Sequence, residues 1–189
     1  AITSCQSPTN KQERATSNQA ECRTVEHEAG ETEVCGQPQR IVVLGPYVLE
    51  PLLALGIQPV AFADHVAFHQ GDYDNPQAQI PYLGNLITQP IANVGLAYEP
   101  SIEAIALAQP NLIIGTEANT QQYDTLSQIA PTILLEYGDP ENNLRAIALA
   151  VDRTQQAEQL LAKTEQSIAK ARKAFAPVVA QNPNILIIN

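Results

Sequence analysis

Three segments of the chain repeat one hydrophobic pattern. In "ALGIQPVAFA" (54–63), "ALAQPNLIIG" (106–115) and "SQIAPTILLE" (127–136), a helix-like end gives way, across a proline, to a short apolar run. Pro59, Pro110 and Pro131 mark the changeovers, because proline has no N–H to continue a helix and its ring clashes with the preceding turn. The runs that follow are of the kind buried in a parallel sheet. With "RIVVL" (40–44) as a first strand, the pattern predicts strand, helix, strand, helix, strand, helix, strand. That alternation defines an α/β lobe, a parallel sheet flanked by helices. In "EPSIEAIALAQPNLIIG" (99–115), Ile102, Ile105 and Ala106 form the stripe of a short helix that starts at Pro100 or Ser101. Glu103 falls about a quarter turn off that stripe and is expected to face solvent. Segment 64–95, rich in Gly, Pro, Asn and Asp, predicts a long loop with a short strand at Asn93–Gly95.

The two ends follow other patterns. Residues 22–35 read as two polar, β-prone arms around a turn ending at Gly30. A four-residue loop, His27 to Gly30, sets Glu26 opposite Glu31 and Cys22 opposite Cys35, which brings the two sulfurs within disulfide reach. Such a bridge implies an oxidising compartment. From Asp152, as N-cap, one helix is predicted to about Gln181, with Leu161, Thr164, Ile168, Ala171, Phe175 and Val178 as a continuous stripe. At 1.5 Å per residue it spans roughly 40 Å, more than a lobe of this size needs to cover its own sheet. "NILIIN" (184–189) then predicts a strand in want of a sheet. The expected division is a tether over 1–20, an α/β lobe over 21–151 with its hairpin, a connecting helix over 152–182, and the first strand of a second lobe at 184–189.

Charge narrows the chemistry. The 189 residues are 44% hydrophobic, and no apolar run is long enough to cross a membrane as a helix. A net charge of −10 disfavours nucleic acid as a partner. Between Ile41 and Leu144 there is no Lys or Arg, whereas the same stretch holds eleven carboxylates. Any site built there works without a fixed cation.

In open parallel sheets, ligands sit beyond the carboxyl ends of the strands. The positions there offer Tyr47, His65, Phe68, Tyr98, Glu117 and Asn119 as candidate ligand-binding residues. His65 and His69 stand at i, i+4 with Asp64, Asp72 and Asp74 nearby, a spacing that on a helix would put two imidazoles on one face for a bare metal ion. The turn formers in "DHVAFHQGDYDN" argue against that helix. Enzymatic signatures do not occur: "VLGPYVLEP" lacks the glycine spacing of a phosphate loop, there is no G-x-S-x-G elbow, and the cysteines form no C-x-x-C. Cys5 closes "ITSC", which resembles the end of a bacterial lipoprotein signal whose cysteine is lipidated; residues 6–20 then read as a polar tether.

Taken in order, the polar hairpin, "PQRIVVL", "LLALGIQPVAFA", "EPSIEAIALAQPNLIIG", "YDTLSQIAPTIL" and "AEQLLAKTEQSIAKAR" resemble the amino-terminal lobe and connecting helix of the iron-siderophore and cobalamin class of ABC-transporter substrate-binding proteins. The resemblance covers about residues 22–189. It implies two Rossmann-like lobes joined by one rigid helix, no catalysis, no cofactor, and a ligand held between the lobes. It further implies a lipid-anchored protein of the bacterial periplasm or cell envelope that delivers its ligand to a membrane permease. Glu103 matches the family's amino-terminal docking glutamate. The expected ligand is ferric iron as a siderophore complex; haem, cobalamin or a bare metal ion are the alternatives. Siderophore-binding relatives often carry an arginine where this chain has Leu96-Ala97-Tyr98, and an aromatic near Asn119. With that arginine absent, the charge pattern favours a neutral or cationic ferric hydroxamate.

Overall fold

The computed structural model describes residues 21–181. Strands β1 (Cys22–His27) and β2 (Gly30–Cys35) form an antiparallel hairpin. The main sheet has six strands in the order β6-β5-β4-β3-β7-β8: β3 (Ile41–Leu44), β4 (Ala61–Asp64), β5 (Ala92–Leu96), β6 (Glu99–Pro100), β7 (Leu112–Thr116) and β8 (Thr132–Leu135). All neighbours are parallel except the two-residue edge strand β6, which runs antiparallel to β5. The helices are α1 (Pro46–Ala54), α2 (Pro76–Gln79), α3 (Ile102–Leu107), α4 (Tyr123–Ser127), α5 (Pro140–Ala150) and α6 (Thr154–Gln181).

Strand β3 shows why the apolar runs are unbroken. Ile41 and Val43 point to one face of the sheet, where they pack with Leu49 and Leu52 of α1 and Ile147 of α5. Val42 and Leu44 point to the other, against Ile105 of α3 and Leu126 of α4. All four β3 side chains are buried, so the period-two alternation sorts residues between two cores rather than between core and water. The three prolines lie in the helix-to-strand junctions as expected: Pro59 before β4, Pro110 before β7 and Pro131 before β8.

The hairpin has the expected register, Glu26 opposite Glu31 and Cys22 opposite Cys35, and the two sulfurs are bonded. The turn is tighter than expected, since His27 also pairs with Gly30 and only Glu28 and Ala29 remain unpaired. Gly30 sits at φ 124°, which a side chain would resist. The hairpin docks on β8. Glu28 N–H donates to the Leu134 carbonyl (3.0 Å), and Thr32 Oγ1 donates to the Thr132 carbonyl (2.8 Å). His27 organises this contact: Nδ1 accepts the Ala29 N–H (3.2 Å), so Nε2 carries the proton and donates it to Thr32 Oγ1 (2.9 Å). The Tyr123 hydroxyl meets the same Thr32 oxygen at 3.2 Å.

Two expectations at the carboxy-terminal side are corrected. Asp152 is not a helix N-cap; it sits at φ 58°, in the left-handed region, between two helices. The preceding helix, α5, was not anticipated, although Asp139 caps it by accepting the Asn142 N–H (3.2 Å) and Pro140 occupies its first turn. The Asp152 carboxylate instead faces Arg23 of the hairpin (3.8 Å) and accepts from Gln37 Nε2 (3.0 Å). Helix α6 packs on α5 through its first turns, where Ala157 is fully buried, and is exposed from Ala162 to Gln181. The tether with Cys5 and the strand at 184–189 lie outside the described residues.

Burial lowers the pKa of His27 from its ordinary value. The unfolded chain therefore binds the proton more readily than the folded one. This contribution to stability is complete above about pH 6.5, falls as the pH drops below it, and levels off below the lowered folded value. Urea unfolding at pH 7.5 and 5.5 is expected to show that loss in the native chain and a smaller one in His27→Gln.

Candidate functional site

The carboxyl ends of β5, β4, β3, β7 and β8 lie side by side and form one face of the lobe. The strand order reverses at β3: β4 and β5 are added on one side of it, β7 and β8 on the other. A crevice opens at such a point because the connections leave it in opposite directions.

Each loop reaches this face by a local device. Gly45 (φ 116°) ends β3 and turns into α1, whose first position is Pro46. A side chain at Gly45 would come within 3.4 Å of the Ala97 Cβ, so the loops after β3 and β5 approach closely there. Gly115 near the end of β7 leaves room for Asn119, whose Oδ1 would lie 2.7 Å from an added Cβ. Asn119 fills that space completely buried. Its Oδ1 accepts the Thr116 N–H (3.1 Å) and its Nδ2 donates to the Ala97 carbonyl (2.7 Å).

Asn119 is thereby corrected from ligand contact to structural clasp: its amide is spent within the protein, holding the loop after β7 to the loop after β5. The other candidates remain on the face. Tyr98 is 54% and Phe68 61% exposed, and Glu117 is exposed. His65 is exposed beside Phe68 (ring centroids 6.2 Å apart) and held by Asp64, whose Oδ1 meets its Nδ1 at 2.8 Å and accepts its N–H at 2.7 Å. Tyr47 is half-buried, with its hydroxyl held by the Glu136 carbonyl (3.4 Å), Gly138 N–H (3.2 Å) and Asn143 Nδ2 (3.2 Å).

Sequence reasoning missed one loop. After β8 comes Tyr137, 49% exposed, edge-on to Tyr47 with ring centroids 5.1 Å apart. Thr116 Oγ1 donates to its hydroxyl (3.0 Å). The signal was present, since Tyr137 follows a strand end like every other candidate.

His65 and His69 do not converge. Residues 65–69 form no helix, and His69 turns to the Asp72 carbonyl (3.0 Å) and Gln79 Nε2 (3.0 Å). Among the described residues, the metal-ligating groups that come together are Cys22, Glu33 and Cys35, where both sulfurs belong to the disulfide. Beneath the face, burial first and the Asp64 charge second push the Tyr73 hydroxyl up to about 12, so it stays protonated.

Among the described residues, none of the loops at this face carries Lys or Arg. Arg40 lies at the opposite end of the sheet, where its Nε donates to the Ala108 (3.1 Å) and Gln109 (3.0 Å) carbonyls. Arg145 is held on the helices by Glu158 (2.8 Å) and Glu141 (3.8 Å). The face thus offers aromatic rings, one imidazole and carboxylates.

In open α/β lobes, a face of this kind is where small ligands sit, beyond the strand ends. The chain belongs to the periplasmic binding protein family, whose pattern it matches over residues 41–188. It is 37% identical over 153 residues to the probable siderophore-binding lipoprotein YfiY of Bacillus subtilis, covering 78% of this chain and 44% of that one. It is 32% identical over 193 residues to the Fe(3+)-citrate-binding protein YfmC of the same organism, covering 98% of this chain and 57% of that one. Among solved structures, Staphylococcus aureus SirA complexed with staphyloferrin B superposes with a TM-score of 0.72 at 26% identity, covering 85% of this chain and 53% of that one. The chain spans about half the length of the curated relatives it matches.

The clasp at Asn119 gives a direct expectation. Asn119→Ala leaves the Thr116 N–H and the Ala97 carbonyl without their partner, at a cost of about 2–4 kcal/mol. Urea unfolding should show the lower midpoint with an unchanged slope.

Proposed function

We propose that this chain is the amino-terminal lobe and connecting helix of the substrate-binding component of a bacterial ABC importer. It captures a ferric siderophore of the neutral or cationic hydroxamate type and delivers it to the membrane permease. The observation that carries this reading is the aromatic face free of Lys and Arg at the carboxyl ends of a periplasmic binding fold. Relatives named for siderophore and ferric-citrate binding support the ligand class, and one of them is an iron(3+)-hydroxamate-binding protein of Bacillus subtilis. Tyr47, His65, Phe68, Tyr98, Glu117 and Tyr137 line the ligand side. The exposed apolar residues of α6, Ile168, Phe175 and Val179, fit a second lobe packed along that helix. Cys5 serves as the lipid anchor in the cell envelope, an assignment supported by the lipoprotein names of the relatives.

An anionic complex loses water on entering a cleft and needs cations in return. This lobe offers carboxylates instead, together with rings that hold an apolar or cationic surface by contact and cation–π attraction. In competition followed by tyrosine fluorescence, a neutral or cationic ferric trihydroxamate should displace ferric citrate or a ferric tris-catecholate from the protein. The reverse order, weakening steeply with salt, would overturn the ligand assignment.

Glu103 is the proposed docking group. It is exposed on the first turn of α3, where Ser101 Oγ caps the helix by accepting the Ala104 N–H (3.2 Å) and lies 3.4 Å from Glu103 Oε2. A first-turn carboxylate also complements the helix dipole, by about 0.3–1 kcal/mol, which needs no partner. Glu103→Arg should therefore leave chelate affinity within about twofold of native. It should abolish siderophore-dependent uptake in cells that rely on this protein, and normal uptake would remove the docking role.

A further inference from the structure

The two tyrosines at the β3 and β8 ends are held by a side chain that never reaches the ligand face. Asn143 sits on α5 and is buried. Its Nδ2 uses its two hydrogens in two directions, toward the Glu136 carbonyl (2.6 Å) and the Tyr47 hydroxyl (3.2 Å). The Tyr47 oxygen also accepts the Gly138 N–H (3.2 Å), leaving its own proton for the Glu136 carbonyl (3.4 Å). The chain immediately before and after Tyr137 is thus pinned to the same phenol that Tyr137 meets edge-on. On its far side, Tyr137 is tied through its hydroxyl to the buried Thr116 of β7.

We propose that Asn143 is a positioning residue for ligand specificity: it locks Tyr47 and Tyr137 into one rigid aromatic wall that presents ring surface, with the Tyr47 hydroxyl engaged by the protein's own groups. The proposal rests on the reading of this face as the binding site for a ferric chelate. Its chemical content is distinct. A wall with the Tyr47 oxygen spent inside the protein recognises the outer surface of a preformed chelate by contact, and Tyr47 supplies no oxygen to the iron. Because the rings are ordered before the ligand arrives, binding does not have to freeze two large side chains.

The test uses a neutral ferric trihydroxamate as probe, with tyrosine near-ultraviolet circular dichroism and fluorescence as readouts; the chain has six Tyr and no Trp, so the tyrosine bands are read without tryptophan overlap. Asn143→Leu keeps the volume and removes both donors. It should weaken the probe by roughly tenfold and change the tyrosine dichroism of the free protein. In a Tyr47→Leu/Tyr137→Leu background the same substitution should add no further loss of affinity, which a general loss of stability would not reproduce. Asn143→Asp, nearly isosteric but facing a carbonyl with a carboxylate, should give the same pattern and serves where the leucine variant does not fold. Native affinity with native dichroism in either folded variant overturns the proposal, as does an undiminished loss in the double-leucine background. Failure of the native protein to bind any ferric chelate, with the dichroism change still present, removes the functional reading while the locking of the tyrosines stands.

Discussion

Strand β3 lies between β4 and β7 with both of its faces buried, and the remainder of the lobe follows from that placement. A strand with parallel neighbours on both sides needs a crossover connection to each, and those connections put α1 on one face and α3 on the other. The hydrophobic runs are then obligatory: a polar residue at any of Ile41 to Leu44 would be stranded in one core or the other. The same placement sends the loops after β3 and β7 apart, and the candidate face opens where they part. Gly45 and Asn119 are the local consequences, one allowing the loop after β3 to turn beside Ala97, the other stitching the loops after β7 and β5 together.

The parts of this fold legible in the sequence are those governed by short-range rules. Prolines at helix-to-strand junctions, unbroken apolar runs and the facing cysteines each report on a few neighbouring residues, and the sheet, its helices and the hairpin register follow from them. The parts that were not legible depend on contacts far apart in the chain. Asp152 reads as an N-cap because aspartate is a good one, yet its carboxylate faces Arg23 from the hairpin, 129 positions away, and its backbone is left-handed. Asn119 reads as a loop amide available to a ligand until Ala97, from another loop, takes its donor. Tyr137 needed the same strand-end rule that found Tyr98, but the rule was applied to one loop too few.

The hairpin shows how a small sheet survives at the edge of a lobe. Two strands alone are marginal in water. Here Val25 and Val34 join the larger core, the disulfide closes the open end, and the His27–Thr32 pair ties the turn to β8. Arg23 adds a second tie, reaching the Gly36 and Ala150 carbonyls and the Asp152 carboxylate, so the hairpin also fixes the junction between α5 and α6. The start of the long helix is therefore held from the opposite side of the chain.

Fold likeness leaves the ligand open, and the loops decide it. Relatives of this chain at 27% to 37% identity are named for citrate, hydroxamate, petrobactin and other siderophore binding, and a solved neighbour of the same fold is a catecholate-siderophore binding protein from Vibrio cholerae. One scaffold thus serves relatives named for several ligand classes, which is possible because the sheet places loop ends without specifying what they carry. A carboxylate-rich, anionic complex meeting Glu117 and Glu136 would be repelled in a setting where water cannot screen the contact well. On the proposed reading an uncharged complex would meet no such barrier, and its hydrocarbon surface would gain from the faces of Tyr98, Phe68 and the Tyr47–Tyr137 pair. The absence of Lys and Arg from residues 41–144 is the feature on which the proposed preference for an uncharged chelate rests: cations placed on this face would favour anionic complexes instead.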